Sequence, residues 1–371
     1  MKKLIAFLLV LVLTSCDKQS NPGFDLSESR KVHLLDSKIQ NDLDYQIVDL
    51  IPIQTGSSFD GFSGRLRLKT IDDLFYIFDL DFQVLYCLDS LGNLLYSIGG
   101  LGRGPNELSN VIDFTILDSE VSFLVEAGGS AFLHKYDSLG NQIFTSRIQY
   151  PISSFEQINS NEYLLYTGWN NEHVPFRLLR WNSQNDNDSA FFYHKYTEMK
   201  IGLEAYSLGR KEDKFIFFDP LTPHMYQINS DLSISPLLTF GLGDYELDDD
   251  YWNRKRDDAL DFLFKNGFYA CKYFIWTQDQ LMMLGNFAGR NSAEQEYTLT
   301  IYSMNENEAK TRVLQQGTLD EVFLNIFTLK NGQLISLGDG NAMKYLDLPK
   351  EMDQFVFTDE SYYLVYSEVL D

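Results

Sequence analysis

The chain has 371 residues, of which 44% are hydrophobic and 15% aromatic, a composition that supports a sizeable core and favours strands over helices. Its 53 acidic and 30 basic residues give a formal net charge of −23. Because such a chain repels phosphate backbones, we expect no nucleic-acid partner. The length suits two average domains or one large all-β domain.

The N-terminus reads MKKLIAFLLVLVLTSCDKQS, in which two lysines precede an apolar run of about ten residues. A membrane-spanning helix needs ~20 apolar residues, so the run is typical of a secretory signal. It ends in Leu-Thr-Ser-Cys, which resembles the lipobox of bacterial lipoproteins, whose cysteine is acylated and becomes the mature N-terminus.

We therefore predict a signal peptide over residues 1–15, lipidation of Cys16 and a tether over residues 16–44. An ordinary signal peptide that contains a cysteine is the alternative. Cleavage would leave 28 basic and 53 acidic residues, a net charge of −25. We expect the mature protein to be soluble and held at the membrane by its lipid.

Two further cysteines lie in apolar, strand-like runs, Cys87 in VLYCL and Cys271 in FYACKYF. Buried free thiols suit these surroundings better than a disulfide does. Neither the cysteines nor the five histidines have the spacing of a structural metal site.

The stretch DSLGN occurs at residues 89–93 and again at 137–141, 48 residues apart. Its aspartate can accept hydrogen bonds from the turn backbone, and its glycine can take the positive φ that closes a hairpin. Each copy lies between two β-rich runs. We interpret the motif as a strand-to-strand turn.

Weaker copies of the turn near residues 182, 229 and 305 extend the repeat at spacings of 45, 47 and 76. A period in the mid-forties with three or four short strands per unit is typical of propeller blades. The predicted blades cover residues 64–99, 110–148, 151–194, 203–241, 268–315 and 321 to the end.

The last blade supplies only three strands, and residues 45–53, YQIVDLIPI, precede the first blade without a unit of their own. We predict that they close the ring as the missing outer strand. The spacing of 76 residues between the turns near 229 and 305 reflects an insertion at about residues 246–266, whose apolar residues have helical periodicity. The predicted fold is an all-β, six-bladed β-propeller over residues 45–371, closed by an N-terminal strand and carrying one inserted helix.

The segment SIGGLGRGPNELSNVIDF, residues 97–114, together with residues 49–53, 75–79 and the LDSLGN turn, resembles the six-bladed β-propeller lipoproteins of Bacteroidota, which look like NHL-repeat propellers. In that family a G-x-G-P-x-E segment crosses from the outer strand of one blade to the inner strand of the next. The resemblance implies a propeller and a cell-envelope location, at the outer membrane, and does not imply one activity. It weakens after residue 148.

The glycines of this segment do not predict a nucleotide loop, because a β-run follows them instead of a helix. Arg103 and Glu107 can pair across the blade crossing, or one of them can contact a ligand at the channel mouth. Both are candidate ligand-binding residues.

The inserted helix carries a second group of candidates, Tyr251, Trp252, Arg254 and Arg256, of residue types enriched in binding hot spots. They predict a partner-binding lip on the propeller face. The alternative is that Trp252 packs on the propeller and the charges face water. The acidic cluster at residues 244–250 can bind calcium or simply start a solvated helix; we predict no cofactor otherwise.

Three serines follow aspartate and precede an aliphatic residue: Ser90, Ser138 and Ser189. The tripeptides resemble the O-glycosylation acceptor of Bacteroidota, although so short a motif also arises by chance.

The sequence contains no nucleophile elbow and no nucleophile–base arrangement. It supports two main functional hypotheses, beside a purely structural or sensory envelope component as a third possibility. The first is a lipid-anchored module that binds or scaffolds a glycan, peptide or protein partner in the cell envelope. The second is a metal-dependent enzyme of the lactonase or lyase type with carboxylates in the central channel. Periodicity alone does not show which side chains reach that channel.

Overall fold

The computed structural model describes residues 29–33, 43–54, 59, 61–100, 108, 110–168, 174–194, 207–211, 214–277, 279–288, 295–315, 327–330, 332–344, 348–358 and 360–370. Cys16, Arg103 and Glu107 lie outside the described residues. No helix in the described part of the chain is long and apolar enough to cross a membrane.

The described strands form six sheets, which follow one another along the chain as the blades of a propeller. Blades 1 to 3 consist of β3 (Leu66–Ile71), β4 (Leu74–Asp79), β5 (Val84–Leu88) and β6 (Leu94–Gly99); β7 (Val111–Leu117), β8 (Glu120–Ala127), β9 (Ser130–Tyr136) and β10 (Gln142–Ile148); and β11 (Ser154–Gln157), β12 (Glu162–Tyr166), β13 (Phe176–Asn182) and β14 (Asn187–Tyr193).

Blades 4 to 6 contain two strands from the N-terminal segment in addition to their own. They consist of β15 (Leu208–Lys211), β16 (Lys214–Phe218), β17 (His224–Ile228) and β18 (Ile234–Gly241), with β1 (Arg30–His33); β19 (Phe268–Trp276), β20 (Gln280–Ala288), β21 (Gln295–Ser303) and β22 (Glu308–Leu314); and β23 (Phe327–Lys330), β24 (Gln333–Asp339) and β25 (Tyr362–Leu370), with β2 (Asp44–Pro52).

The first strand of each blade is the innermost, and neighbouring inner strands contact one another around the axis, for example β7 with β11, β15 with β19 and β23 with β3. The six blades start and end close to the boundaries predicted from the repeat, so the predicted six-bladed propeller is confirmed.

Ring closure occurs through β2, which pairs antiparallel with β25 from Asp44↔Leu370 to Pro52↔Tyr363. Blade 6 thereby gains the outer strand that its own sequence lacks. The first and last strands of the ring are joined by hydrogen bonds, which confirms the closure predicted from residues 45–53.

A second N-terminal strand was not predicted. In β1, Arg30 to His33 pair parallel with Leu238 to Gly241 of β18, and the Ser29 and Thr239 hydroxyls lie 2.7 Å apart. Blade 4 therefore has five strands. The predicted tether over residues 16–44 is corrected at residues 30–33, which belong to a blade.

The two DSLGN turns have the same hydrogen bonds. Asp89 Oδ1 accepts from the backbone N–H groups of Leu91 and Asn93 at 2.9 and 2.8 Å, and Gly92 has φ +79°. Asp137 and Gly140 repeat this arrangement, with φ +80° at the glycine. The side-chain amide and the backbone N–H of Asn93 hold the pKa of Asp89 below its usual value, and the backbone N–H and side-chain amide of Asn141 do the same for Asp137.

Each DSLGN turn also touches the outer strand of the preceding blade. The Gln54 N–H donates to Gly92 O at 2.8 Å, next to β2 of blade 6, and Gly140 packs against Ile98 of blade 1. The motif is therefore a hairpin turn and a contact between neighbouring blades.

Between each pair of neighbouring blades lies a hydrophobic cluster built from both of them. Between blades 1 and 2, for example, the Phe78 and Phe114 rings lie 5.7 Å apart. Cys87 and Cys271 are buried in two of these clusters as free thiols, as predicted. Propeller stability therefore comes from packing between blades as well as within them.

A buried ion pair links blades 3 and 4. The Arg177 guanidinium of β13 donates to both carboxylate oxygens of Asp219, which follows β16, and lies over the rings of Tyr166, Phe192 and Phe217. Both charged side chains are about 95% buried. Each therefore depends on the other for compensation of its charge.

The insertion between blades 4 and 5 is present, but its helix is divided. A 3₁₀ turn (Gly243–Tyr245) precedes α1 (Asp249–Trp252) and α2 (Arg256–Asn266), so the single helix predicted for residues 246–266 is corrected to two. Blade 6 contains a further short helix, α3 (Gly340–Met343), and a 3₁₀ turn (Lys350–Met352).

Candidate ligand site in the central channel

A cavity of about 710 Å³ lies on the propeller axis, and inner-strand residues of all six blades line it. Blades 1 to 6 contribute, among others, Lys69, Thr115, Glu156, Arg210, Tyr273 and Thr328. The lining extends to the carboxyl ends of β3 and β19, at Ile71 and Trp276. The site is thus assembled from segments that lie far apart in the sequence.

The side chains of the inner strand β3 alternate between two inter-blade faces. In β3, Leu66 and Leu68 are buried between blades 6 and 1, whereas Arg67 and Lys69 are half-buried. Because successive side chains of a strand point to opposite faces, Arg67 and Lys69 point towards blade 2, and the cavity lies at the end of β3, where the consecutive residues 69–72 line it.

Hydrogen bonds join the inner strands near the cavity. Arg67 Nη1 donates to Asp113 Oδ1 at 3.1 Å, and Ser154 Oγ donates to Asp113 Oδ2 at 2.9 Å. Arg210 Nη1 donates to Gln157 O at 3.1 Å. Blades 1 to 4 are thus connected by polar contacts that also fix the orientation of the lining side chains.

The most notable pair in the cavity is Lys69 and Glu156. Lys69 Nζ donates to Phe114 O at 2.7 Å and lies 3.8 Å from Glu156 Oε2. Glu156 Oε1 accepts from the Thr115 hydroxyl and from the Gln157 N–H. A cation and a carboxylate oxygen therefore face each other in the cavity without a direct hydrogen bond.

Tyr273 links two blades that are not neighbours. Its hydroxyl, on the inner strand of blade 5, donates to Leu68 O of blade 1 at 3.1 Å, although blade 6 lies between them in the ring. Burial raises the pKa of this hydroxyl, so it stays protonated and remains a donor. The Tyr273 side chain therefore forms part of the wall on this side of the channel.

The family model DUF5128, described as a 6-bladed beta-propeller, matches residues 25–284, which is more than half of the chain. The chain belongs to this family. The six-bladed propeller family recognised in the sequence is confirmed.

Two solved structures from Bacteroides resemble this DUF5128 propeller. A putative exported protein of Bacteroides fragilis aligns with a TM-score of 0.68 at 14% identity, over 92% of this chain and 99% of its own. A DUF4221 family member from Bacteroides vulgatus aligns with a TM-score of 0.57 at 11% identity, over 90% and 99%. No curated protein matches the sequence. At these identities the likeness shows the shared fold.

The predicted lip on the insertion of the DUF5128 chain is only partly at the surface. Tyr251 is fully buried and Trp252 is 6% exposed, in a cluster with Leu221 and Leu263. Their burial supports the alternative that Trp252 packs on the propeller and leaves both rings little surface for a partner; their role in binding stays a prediction. The two helices of the insertion contact each other, and Ala259 and Leu263 of α2 belong to the same cluster.

Arg254 is half-buried, with its guanidinium 4.6 Å from the centre of the Phe262 ring. Arg256 begins α2, and its side chain is outside the described part of the structure. The structure does not bring these residues to the axial cavity. In the acidic cluster, Asp248 Oδ1 accepts from the Tyr251 N–H at 3.0 Å, which is a helix-start contact.

Ser90, Ser138 and Ser189 are all exposed, the first two in DSLGN turns and the third in β14. Their O-glycosylation stays a prediction. Among the described residues, no three His, Cys, Asp or Glu side chains are grouped so that they could hold a metal ion.

The sequence did not identify the residues of the axial cavity. A usable signal was present: Lys69, Glu156 and Arg210 are charged residues within the first strand of their repeats, the strand nearest the axis. Charges in strands buried on both faces require a partner or a cavity.

Proposed function

We propose that this DUF5128 chain is an exported, lipid-anchored propeller of the cell envelope that binds a glycan or peptide ligand in its axial cavity. The observation that carries the proposal is the cavity itself, which is lined by the inner strands of all six blades. Its volume of about 710 Å³ lies within the usual range of ligand sites.

The chemistry of the lining supports binding as its role. The Asp113 and Glu156 carboxylates accept hydrogen bonds from neighbouring blades, so the scaffold fixes them in place. Polar groups that are held rigidly before a ligand arrives cost less to order on binding. Apolar side chains such as Ile71 and Ile275 supply the remaining wall.

The ligand proposal is tested by thermal shift against a library of glycans, peptides and small metabolites. We expect at least one compound to raise the melting temperature of the wild type, because a ligand that binds only the folded state stabilises it. Thr70→Tyr, which places a ring in the cavity, should abolish that shift. Thr145→Tyr, on exposed β10 of blade 2, is the matched control and should retain it. A shift that survives Thr70→Tyr would place the ligand elsewhere and contradict the proposal.

The proposed location is supported by the N-terminal signal with its lipobox-like end and by the likeness to a putative exported protein. Replacing Cys16 by alanine should move the protein from the membrane fraction to the soluble fraction, whereas Ser20→Ala should leave it membrane-bound. Membrane association of the Cys16→Ala variant would refute the lipid anchor.

A further inference from the structure

We infer that the axial cavity selects a neutral, hydroxyl-rich ligand, a saccharide, and that one sugar hydroxyl bridges Lys69 Nζ and Glu156 Oε2. This inference rests on the proposed function, because it names the ligand class of the same cavity.

The geometry of the pair leaves room for one bridging group. The 3.8 Å between Lys69 Nζ and Glu156 Oε2 is too long for a direct hydrogen bond. Lys69 has three donors, one of which goes to Phe114 O, and Glu156 Oε1 already accepts from Thr115 and Gln157. A donor on Lys69 and an acceptor on Glu156 therefore remain for a third partner.

A hydroxyl satisfies both groups at once, since it accepts from the ammonium and donates its proton to the carboxylate. A charged ligand group satisfies only one of them. A carboxylate or phosphate that approaches Lys69 lies against Glu156, and an ammonium that approaches Glu156 lies against Lys69. The two side chains are 28% and 9% exposed, so water screens this repulsion poorly.

The wall of the cavity formed by blades 1, 5 and 6 also has hydroxyl and apolar groups side by side. The Thr70 and Thr328 hydroxyls lie 3.1 Å apart across blades 1 and 6, and either can donate or accept. Ile71 and Ile275 supply apolar surface beside them. Saccharides present hydroxyl edges and C–H faces in the same way, which a peptide terminus or a phosphate does not.

The test uses the full mature chain and a panel of three probe classes: neutral oligosaccharides of two to four units, zwitterionic dipeptides, and inorganic phosphate. Binding is screened on a glycan array and measured by titration calorimetry. We expect an oligosaccharide to bind the wild type and to bind Lys69→Met and Glu156→Gln at least about tenfold more weakly, because each variant removes one charge-assisted hydrogen bond.

Lys330→Met is the matched control. Lys330 lies on the inner strand of blade 6 and pairs with Asp73 at 2.9 Å, outside the cavity lining. The Lys330→Met variant should bind the oligosaccharide with the same affinity as the wild type. If Lys69→Met does not fold, as judged by its circular-dichroism melting curve, Lys69→Gln replaces it, and the isosteric Glu156→Gln gives the parallel result.

The outcomes separate the inference from the proposed function. If a dipeptide or phosphate binds the wild type and this binding is lost in Thr70→Tyr, the saccharide inference is overturned and the cavity remains the binding site. Saccharide binding that is equal in the wild type, Lys69→Met and Glu156→Gln overturns the bridging geometry. Binding of saccharide that persists in Thr70→Tyr contradicts the proposed site, and failure of every probe class to bind overturns the inference as well.

Discussion

The glycine of the first DSLGN turn is the most sharply testable position in the fold. Gly92 has φ +79°, and a Cβ at this residue would lie 2.3 Å from Pro52 O of the ring-closing strand β2. Two backbone hydrogen bonds join the same two segments: Gln54 N donates to Gly92 O at 2.8 Å, and Leu94 N donates to Gln54 O at 3.2 Å. Gly92→Ala therefore perturbs the turn and the closure of the ring together.

The magnitude follows from these contacts. An L-residue in the left-handed region costs roughly 1–2 kcal/mol. The clash is with the backbone of Pro52, so the segment from Pro52 to Gln54 has to move away. The two backbone hydrogen bonds of Gln54 that this would weaken contribute about 0.5–1.5 kcal/mol each. We expect Gly92→Ala to lower the free energy of unfolding by about 2–5 kcal/mol, a large part of the ~5–15 kcal/mol that stabilises a typical domain.

Two other glycines provide matched controls. Gly140 occupies the same position in the second DSLGN turn, with φ +80°, but its Cβ would meet the Ile98 side chain at 3.3 Å and the nearest backbone atom, Ser97 O, only at 3.6 Å. Gly129 has φ +75° and nothing within 4 Å of a Cβ. Alanine at either should cost only the roughly 1–2 kcal/mol of the backbone conformation.

The assay is urea unfolding followed by tryptophan fluorescence and far-ultraviolet circular dichroism, with free energies from the midpoints and slopes. We expect Gly129→Ala and Gly140→Ala to lower the free energy of unfolding by similar amounts, and Gly92→Ala to lower it clearly more. Equal losses in all three variants would refute the role of the DSLGN turn in ring closure.

Three further predictions concern closure, charge and thiols. Deleting residues 44–52 removes β2 with three buried apolar side chains worth roughly 1.5–3 kcal/mol each, so the variant should not fold, and a native-like melting curve would contradict the closure. Arg177→Met should lower the free energy of unfolding by about 3–5 kcal/mol because it leaves Asp219 buried without its cation. The double variant Arg177→Met/Asp219→Leu should recover part of that loss. A double variant no more stable than Arg177→Met would show that the pair is not coupled. Burial raises the pKa of the Cys87 thiol and raises the pKa of the Cys271 thiol to about 12. We therefore expect neither thiol to react with a thiol reagent at neutral pH until urea unfolds the chain. Modification of the native protein would show that the thiols are accessible.

The candidate site was far less predictable than the fold. The residue types that attracted attention in the sequence, Tyr251 and Trp252, are large aromatic side chains that serve equally well in a core, and the structure buries both. The cavity instead uses ordinary residues such as Lys69 and Glu156, which are 87 positions apart in the sequence and meet at the axis. Nothing local to either residue indicates the other.

The sequence by itself determined the repeat, the six blades, the turn at DSLGN and the strand that closes the ring. These features depend on local chemistry: strand alternation, an aspartate that accepts from its own turn and a glycine that takes a positive φ. Only the tertiary structure decided that Arg30–His33 pairs with β18 some 200 residues later, that the insertion divides into α1 and α2, and that Lys69 faces Glu156. These features depend on contacts between residues far apart in the sequence: a backbone ladder within blade 4, packing of the insertion on itself and on Leu221, and the arrangement of blades around the axis. No periodicity within a single repeat contains such contacts.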